Sequence, residues 1–528
     1  MAGKPEQFHV RILPPVSRRA GALLILVILA GILARSYRIT DPLLEAHSLR
    51  QYDTAAIARN YYEGGMKLLY PQVDWRGNSP GYVASEFPIY CYAVAGMYRV
   101  WGVHEWLGRA LNIALYGLSA LLLFQLTRRL FNEGLGLLAV FFYTILPLSF
   151  LYTRTFQPDA LMSFFCLAAV YFFVSWTETE HLPSFLLSAL AASLAILIKP
   201  PSAYFGVPLV FLAHRHFGWG FLRRPLLWLY ALAVIVPALL WYRHATNLWQ
   251  EYGNSFFVVY LRLGYPGLSD PAWLGLARRL PQRFVFEVFT PAGVLLGLAG
   301  LFSRPWKENL FLHWWNAGFA VSIFIWPQGY WGHDYYQLPF IFAIAIWMAL
   351  GAKSVWDSRK MPKGAAVAAC TALCALVLGY SVWTLKNRFQ GSDGNRIRVV
   401  FGEHVSRLTR PEELVIFLYP TVPGVPREFR QHRTTQGEYL SSVPEDFYLS
   451  HRKGFAVDED VATPQFVETL RQRGARCLAT YSPEIFAHNR ALEYALAHSS
   501  LPSDIAPHWV IYRLSGPIEA PSATQLGP

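Results

Sequence analysis

Eleven stretches of this chain are apolar over enough residues to cross, some only with tilt, a hydrocarbon core roughly 30 Å thick. They fall at 20–36, 106–127, 134–152, 158–177, 183–199, 201–214, 225–243, 284–303, 309–327, 336–351 and 364–384. So many hydrophobic runs exceed what one soluble core can absorb, and 54% hydrophobic against 15% charged residues points the same way. The expected fold is a mainly α, polytopic membrane protein with about eleven transmembrane helices. Its 18 Trp, 29 Tyr and 36 Phe fit aromatic belts at the two interfaces.

The net charge of +12 would imply a polyanionic partner in a soluble domain. Here the cations sit in short loops between apolar runs, at Arg128/Arg129, Arg215/Arg223/Arg224, Arg304/Lys307 and Lys353/Arg359/Lys360/Lys363. Topology accounts for that distribution, so no nucleic-acid partner is expected. With Lys4, Arg11, Arg18 and Arg19 ahead of the first run, the N-terminus is expected in the cytoplasm and the first run as a retained signal anchor in the inner (plasma) membrane. The five cysteines have neither a disulfide framework nor zinc spacing.

This topology depends on Phe87 to Gly102, an apolar stretch of only about 24 Å as a helix, with Tyr90, Tyr92, Tyr98, Arg99 and Trp101 suited to an interface. Read as re-entrant or surface-lying, it leaves the basic loops on the cytoplasmic side. The 37–86 loop, the 152–158 turn, Lys199-Pro200, the 244–283 loop, the 329–336 loop and everything after Leu385 then share the opposite face. Residues 1–384 form the membrane domain on this reading. Residues 385–528 form a small extracytoplasmic α/β domain, with strands at 414–418, 477–481 and 509–512 around a helix near 464–473.

The 37–86 loop is crowded with charge: Glu45, Arg50, Asp53, Arg59, Glu63, Asp74, Arg76 and Glu86. Carboxylates gathered at a bilayer surface point to chemistry on a substrate held in lipid. A short interfacial helix is expected from Asp53, with Asp53 as its N-cap, and a simple cap is the bland alternative. Glu86 precedes Phe87-Pro88, whose proline favours an extended entry to the apolar stretch; a solvated boundary residue is the alternative. Pro158 would start a helix with Asp159 in its first turn.

Together Asp53, Glu86 and Asp159 are expected at the mouths of neighbouring spans, as ligands of a divalent metal ion or as a base and its orienting partner. Arg50 and Lys199 would hold a donor phosphate, although Lys199 can equally be a snorkelling span end. His333, Tyr335 and Tyr336 are candidates for binding a sugar or phosphate, with belt aromatics as the alternative.

These pieces form a set: Ala-Ile-Ala-Arg59 in an acidic first loop, Glu86-Phe-Pro-Ile-Tyr90, Glu105-Trp-Leu-Gly-Arg109, Arg128-Arg129-Leu-Phe, Pro147-Leu-Ser-Phe-Leu-Tyr-Thr-Arg154, Pro158-Asp159 and Ile198-Lys199-Pro. The set resembles the GT-C integral membrane glycosyltransferases, in the branch of protein O-mannosyltransferases and lipid A aminoarabinose transferases. The resemblance spans about residues 20–210, extends to Tyr335-Tyr336-Gln-Leu-Pro339, and hardly touches the C-terminal domain.

It implies an enzyme that transfers a sugar from a polyprenyl-phosphate donor, with inversion, to an envelope glycan, lipid or protein acceptor on the extracytoplasmic face. By resemblance Glu86, Asp159 and Lys199 match the family's glutamate, second-loop aspartate and span-closing lysine. The first loop departs from the family, with Glu45, His47 and Arg50 where relatives carry an Asp-Glu pair, so Asp53 is the first candidate base and His47 the second. A transporter or flippase of lipid-linked sugars, a polymerase or ligase using a diphosphate-linked glycan, and a non-catalytic assembly subunit are the alternatives.

Overall fold

The computed structural model describes residues 14–256, 271–303, 310–393, 396–421, 431–433, 439–441, 443–499 and 501–519. Lys4, Arg11, Arg304 and Lys307, used above for topology, lie outside the described residues. The chain divides into two compact units, each assembled from separate segments. The first comprises Met1–Thr40, Trp106–Trp241 and Tyr265–Arg388, and the second Asp41–Glu105, Tyr242–Gly264 and Phe389–Pro528.

The first unit is helical, and each of the eleven apolar runs carries helix. By length and composition five described helices can cross a membrane alone: Glu105–Leu130, Asp159–Thr179, Pro225–Tyr252, Asp334–Trp356 and Lys363–Phe389. Glu133–Ile145, Leu182–Ile198 and Leu310–Ile325 are apolar but shorter. Four runs differ from simple spans: 134–152 breaks at Leu146 ahead of Pro147–Tyr152, 336–351 starts within the 3₁₀ segment Asp334–Phe340, and the other two are 201–214 and 284–303. Residues 201–214 begin as a 3₁₀ turn, Pro200–Phe205, before the α-helix Gly206–Phe217. Residues 284–303 break where Thr290 takes a φ of 72° ahead of Pro291, and helices Trp273–Val288 and Pro291–Leu301 meet there at 98°.

Buried polar pairing fixes the register of these helices. Arg35 is fully buried, donates from Nε to Thr153 Oγ1 at 2.7 Å, and lies 3.7 Å from the Tyr116 ring centroid. Gly300 and Gly351 let two helices touch backbone to backbone: a Cβ on either would fall within 1.9 Å of a main-chain oxygen. Glu178, in the last turn of the helix Asp159–Thr179, takes Arg129 at 2.7 Å.

The second unit joins the charged loop to the α/β domain. Its strands are β1 Val83–Ala84, β2 Asn254–Ser255, β3 Leu414–Tyr419, β4 Gln431–Arg433, β5 Tyr439–Ser441, β6 Lys453–Asp458, β7 Ala475–Thr480, β8 Leu501–Ala506 and β9 Trp509–Arg513. Five of them form a sheet in the order β6-β3-β7-β9-β8, with β6, β3 and β7 parallel and β9 antiparallel to both neighbours. The helix Pro464–Gln472 starts at a Thr463 cap and buries Val467 and Leu470 in a core with Ile416, Leu418 and Leu478. Phe87–Gly102 holds the helix Ile89–Trp101, whose 13 residues reach roughly 20 Å, short of the core thickness.

Candidate active site

In the second unit the first-loop helix runs Ser48–Glu63, preceded by His47 with a φ of 54°. The helix therefore starts five residues before Asp53, which lies in its second turn and is not the expected N-cap. A left-handed turn at His47 starts the helix early, and nearly every residue from Gln51 to Tyr61 is buried, so amphipathic spacing does not mark its beginning. Ala55, Ala56 and Ala58 let neighbouring helices approach, among them Ile89–Trp101 and Glu445–Ser450.

Asp53 Oδ1 accepts a hydrogen bond from Trp75 Nε1 at 2.8 Å. Burial pushes the Asp53 carboxyl up to about 8, against the opposing pull of the indole N–H and of Arg50, while Glu445 and Asp74 add to the rise. Arg50 and Glu86 are paired at 2.6 Å, and the Arg50 guanidinium lies 5.3 Å from the Phe256 ring centroid. The phosphate-binding candidate and the boundary glutamate thus form one half-buried pair.

Side chains without a sequence-assigned role hold this helix in place. Arg59 pairs with Asp74 at 2.7 Å, bonds the Tyr448 carbonyl at 3.0 Å and lies 4.3 Å over the Tyr448 ring. Ser48 Oγ donates to Glu445 Oε1 at 2.7 Å, and Arg398 pairs with Glu445 at 2.5 Å and Asp446 at 3.0 Å. Burial raises the Glu445 carboxyl against the pull of Arg398. The charge density of the loop marks Arg59 and Asp74 in the sequence. The second partner of Arg59, the Tyr448 carbonyl, lies almost 400 positions away and leaves no local signal.

In the first unit Asp159 is the first residue of its helix after Pro158, as expected, and Lys199 follows the helix Leu182–Ile198. Lys199 Nζ meets Asp159 Oδ1 at 2.6 Å, with both side chains buried. The same ammonium lies 4.1 Å from the Tyr335 ring centroid and 4.9 Å from that of Tyr336. His333 stacks on Tyr335 at 4.9 Å, and Tyr152 donates its hydroxyl to Asp334. Three of the candidates, Asp159, Tyr335 and Tyr336, therefore surround the ammonium of a fourth, Lys199, and His333 stacks on one of the two tyrosines.

Polar groups nearby in the chain remain to be satisfied. Asp159 Oδ2 and both side-chain polar atoms of Gln157 and of Gln337 are buried without a hydrogen-bond partner among the described residues. Such groups call for a polar ligand or water. Gln337 sits inside the Tyr335-Tyr336-Gln-Leu-Pro339 motif and Gln157 just ahead of Pro158-Asp159, but neither carries charge or spacing to mark it. An apolar cleft of about 370 Å³ lies between helices Asp159–Thr179, Leu182–Ile198, Gly206–Phe217 and Pro225–Tyr252, with Ser202, three residues from Lys199, in its lining.

Among the described residues no group of three or more His, Cys, Asp or Glu side chains is arranged to hold a metal ion. Of the expected ligands, Asp53 accepts from an indole, Glu86 pairs with a guanidinium and Asp159 with an ammonium. This donor set does not fit a cation.

Residues 85–241 match the dolichyl-phosphate-mannose-protein mannosyltransferase family. No curated protein matches the chain by sequence. ArnT from Cupriavidus metallidurans bound to undecaprenyl phosphate superposes with a TM-score of 0.65 at 14% identity, covering 96% of this chain and 100% of that one. The same protein in its apo state gives 0.61 at 15% identity, covering 95% and 100%. The Archaeoglobus fulgidus oligosaccharyltransferase in complex with Zn and sulfate gives 0.51 at 12% identity, covering 89% and 69%. At these identities the likeness establishes a shared fold, and it bears out the fold that the sequence motifs implied.

Proposed function

We propose, for a chain built as a GT-C membrane glycosyltransferase, that it moves a sugar from a polyprenyl-phosphate carrier onto a hydroxyl of an envelope glycan, lipid or protein. The observation that carries this reading is the buried Lys199 ammonium, held by Asp159 at 2.6 Å and faced by Tyr335 and Tyr336. The acceptor oxygen attacks the anomeric carbon, a new C–O bond forms, and the bond to the phosphate oxygen breaks. Negative charge grows on the departing phosphate, and a fixed, desolvated ammonium stabilises that charge more than it stabilises the bound donor.

Asp159 then acts as the positioning residue for Lys199, because a carboxylate already paired with an ammonium is a poor proton acceptor. Asp53 is suited to take the acceptor's proton, since a carboxyl raised to about 8 is a far stronger base than an ordinary aspartate. His47 remains the second candidate, and Glu86 with Arg50 orients the acceptor. Gln157 and Gln337 supply amides to sugar or phosphate oxygens, His333 and Tyr335 bound the same space, and the prenyl chain enters the apolar cleft. The proposed setting is the inner membrane, with the N-terminus cytoplasmic and residues 385–528 extracytoplasmic.

Purified protein in detergent with a polyprenyl-phosphate sugar and a hydroxyl-bearing acceptor fraction from the cell envelope tests the proposal. Donor consumption with release of polyprenyl phosphate is expected, and it should fall by about 10²–10³-fold in Lys199→Ala. Near-wild-type turnover in that variant would overturn the assignment. No donor consumption at all would favour a transporter, and release of a diphosphate would favour a polymerase or ligase.

A further inference from the structure

The segment Pro271–Arg283 is an amphipathic helix that continues into a π-helical turn, Phe284–Val288. It meets the apolar helix Pro291–Leu301 at 98°, so where that short helix dips into a bilayer along its normal the amphipathic one runs along the surface. Arg279, Gln282, Arg283 and Phe286 follow one another at helical spacing and line a pocket of about 440 Å³ with Glu287. Arg279 is held over the Trp331 ring at 4.8 Å, and Arg283 donates to the Tyr330 carbonyl, so neither guanidinium is a loose surface chain. Glu287 is offset by Arg388 at 3.5 Å, which leaves the pocket positive. Phe286 and Leu274 are exposed, as apolar anchors at an interface would be.

We propose that this pocket binds the phosphate of an anionic membrane phospholipid. Arg279 and Arg283 present planar donors to the phosphate oxygens, Gln282 adds an amide, and Phe286 meets the start of the acyl chains. The site is distinct from that of Lys199, which lies among Asp159, Tyr335 and Tyr336 and shares no residue with this pocket.

The test is native mass spectrometry of the full chain taken from bilayers of phosphatidylcholine and phosphatidylglycerol. Wild type should retain phosphatidylglycerol in preference to phosphatidylcholine. Arg279→Gln should lower that retention by about tenfold. Because Arg279 also packs on Trp331, Gln282→Glu serves as a second variant that leaves both guanidiniums in place, replaces the amide with a carboxylate and so adds a repelling charge; a loss of similar size is expected. Arg407→Gln, an exposed cation in the other unit, should change nothing. Retention within about twofold of wild type in both pocket variants would overturn the proposal. So would a loss confined to Lys199→Ala, which would place the lipid at the donor site, or full displacement by inorganic phosphate, which would make the ligand a free anion. The readout involves no sugar transfer, so it stands or falls separately from the function proposed above.

Discussion

Asp159 and Asp53 are both buried aspartates, yet their surroundings give them opposite characters. Asp159 meets an ammonium at 2.6 Å, whereas Asp53 meets only a neutral indole N–H at 2.8 Å. The first is tied up as half of an ion pair, and the second is held protonated, with a carboxyl raised to about 8. The contrast teaches that the identity of a residue does not assign its chemistry. A nearby cation makes one aspartate a holder, and the shortage of compensating charge makes the other a base.

The largest expected break in this comparison comes from Lys199→Ala. It removes the phosphate's counter-charge and strands Asp159, so turnover should fall by about 10²–10³-fold in a donor-release assay. Lys199→Arg keeps the charge but not the geometry, and partial recovery would show that charge dominates.

Next comes Asp53→Asn, which sharpens the other side. Wild-type turnover should rise with pH through about 8, because roughly a tenth of Asp53 is ionised at pH 7. The variant should lose most activity and that pH dependence together. Its fold should survive, since the folded state holds the Asp53 proton more tightly than the unfolded chain does. Wild-type stability therefore falls as pH rises from about 4 towards 8. An asparagine has no such term, so thermal unfolding of the variant near pH 8 should come at least as high as that of wild type.

A smaller effect is expected from Ser48→Ala. It removes one bond from the start of the first-loop helix to Glu445, and should cost about 1 kcal/mol of stability with a few-fold loss of turnover. Tyr335→Leu should be milder still, raising the donor KM a few-fold through the lost face of about 0.5–1 kcal/mol over Lys199. Excess chelator should leave turnover unchanged, because no step is routed through a metal; a loss restored by one divalent ion would show that the carboxylates rearrange around it.

Much of this was legible in the sequence because burial in lipid leaves a strong one-dimensional signal. Every apolar run is helical, and the strands at 414–419, 475–480 and 509–513 lie where alternation and β-branched residues place them. Pro158 and Pro200 marked the ends that carry Asp159 and Lys199. Asp53 was misread as a cap because its helix is buried almost all round and has no polar face to betray its start at Ser48. The contacts of Arg59 with Tyr448 and of Ser48 with Glu445 leave no trace in the sequence because those partners lie in Glu445–Ser450, brought in only by tertiary folding. The break at Thr290 lies inside a continuous apolar run, where hydropathy is blind to a backbone dihedral.

Donor binding, measured apart from turnover, tests the division of labour most directly. A polyprenyl-phosphate sugar titrated into purified Asp53→Asn and Lys199→Ala should bind the first with near-wild-type affinity and the second at least about tenfold more weakly. Equal affinity in the two variants, or loss in Asp53→Asn alone, would contradict the assignment of the phosphate to Lys199.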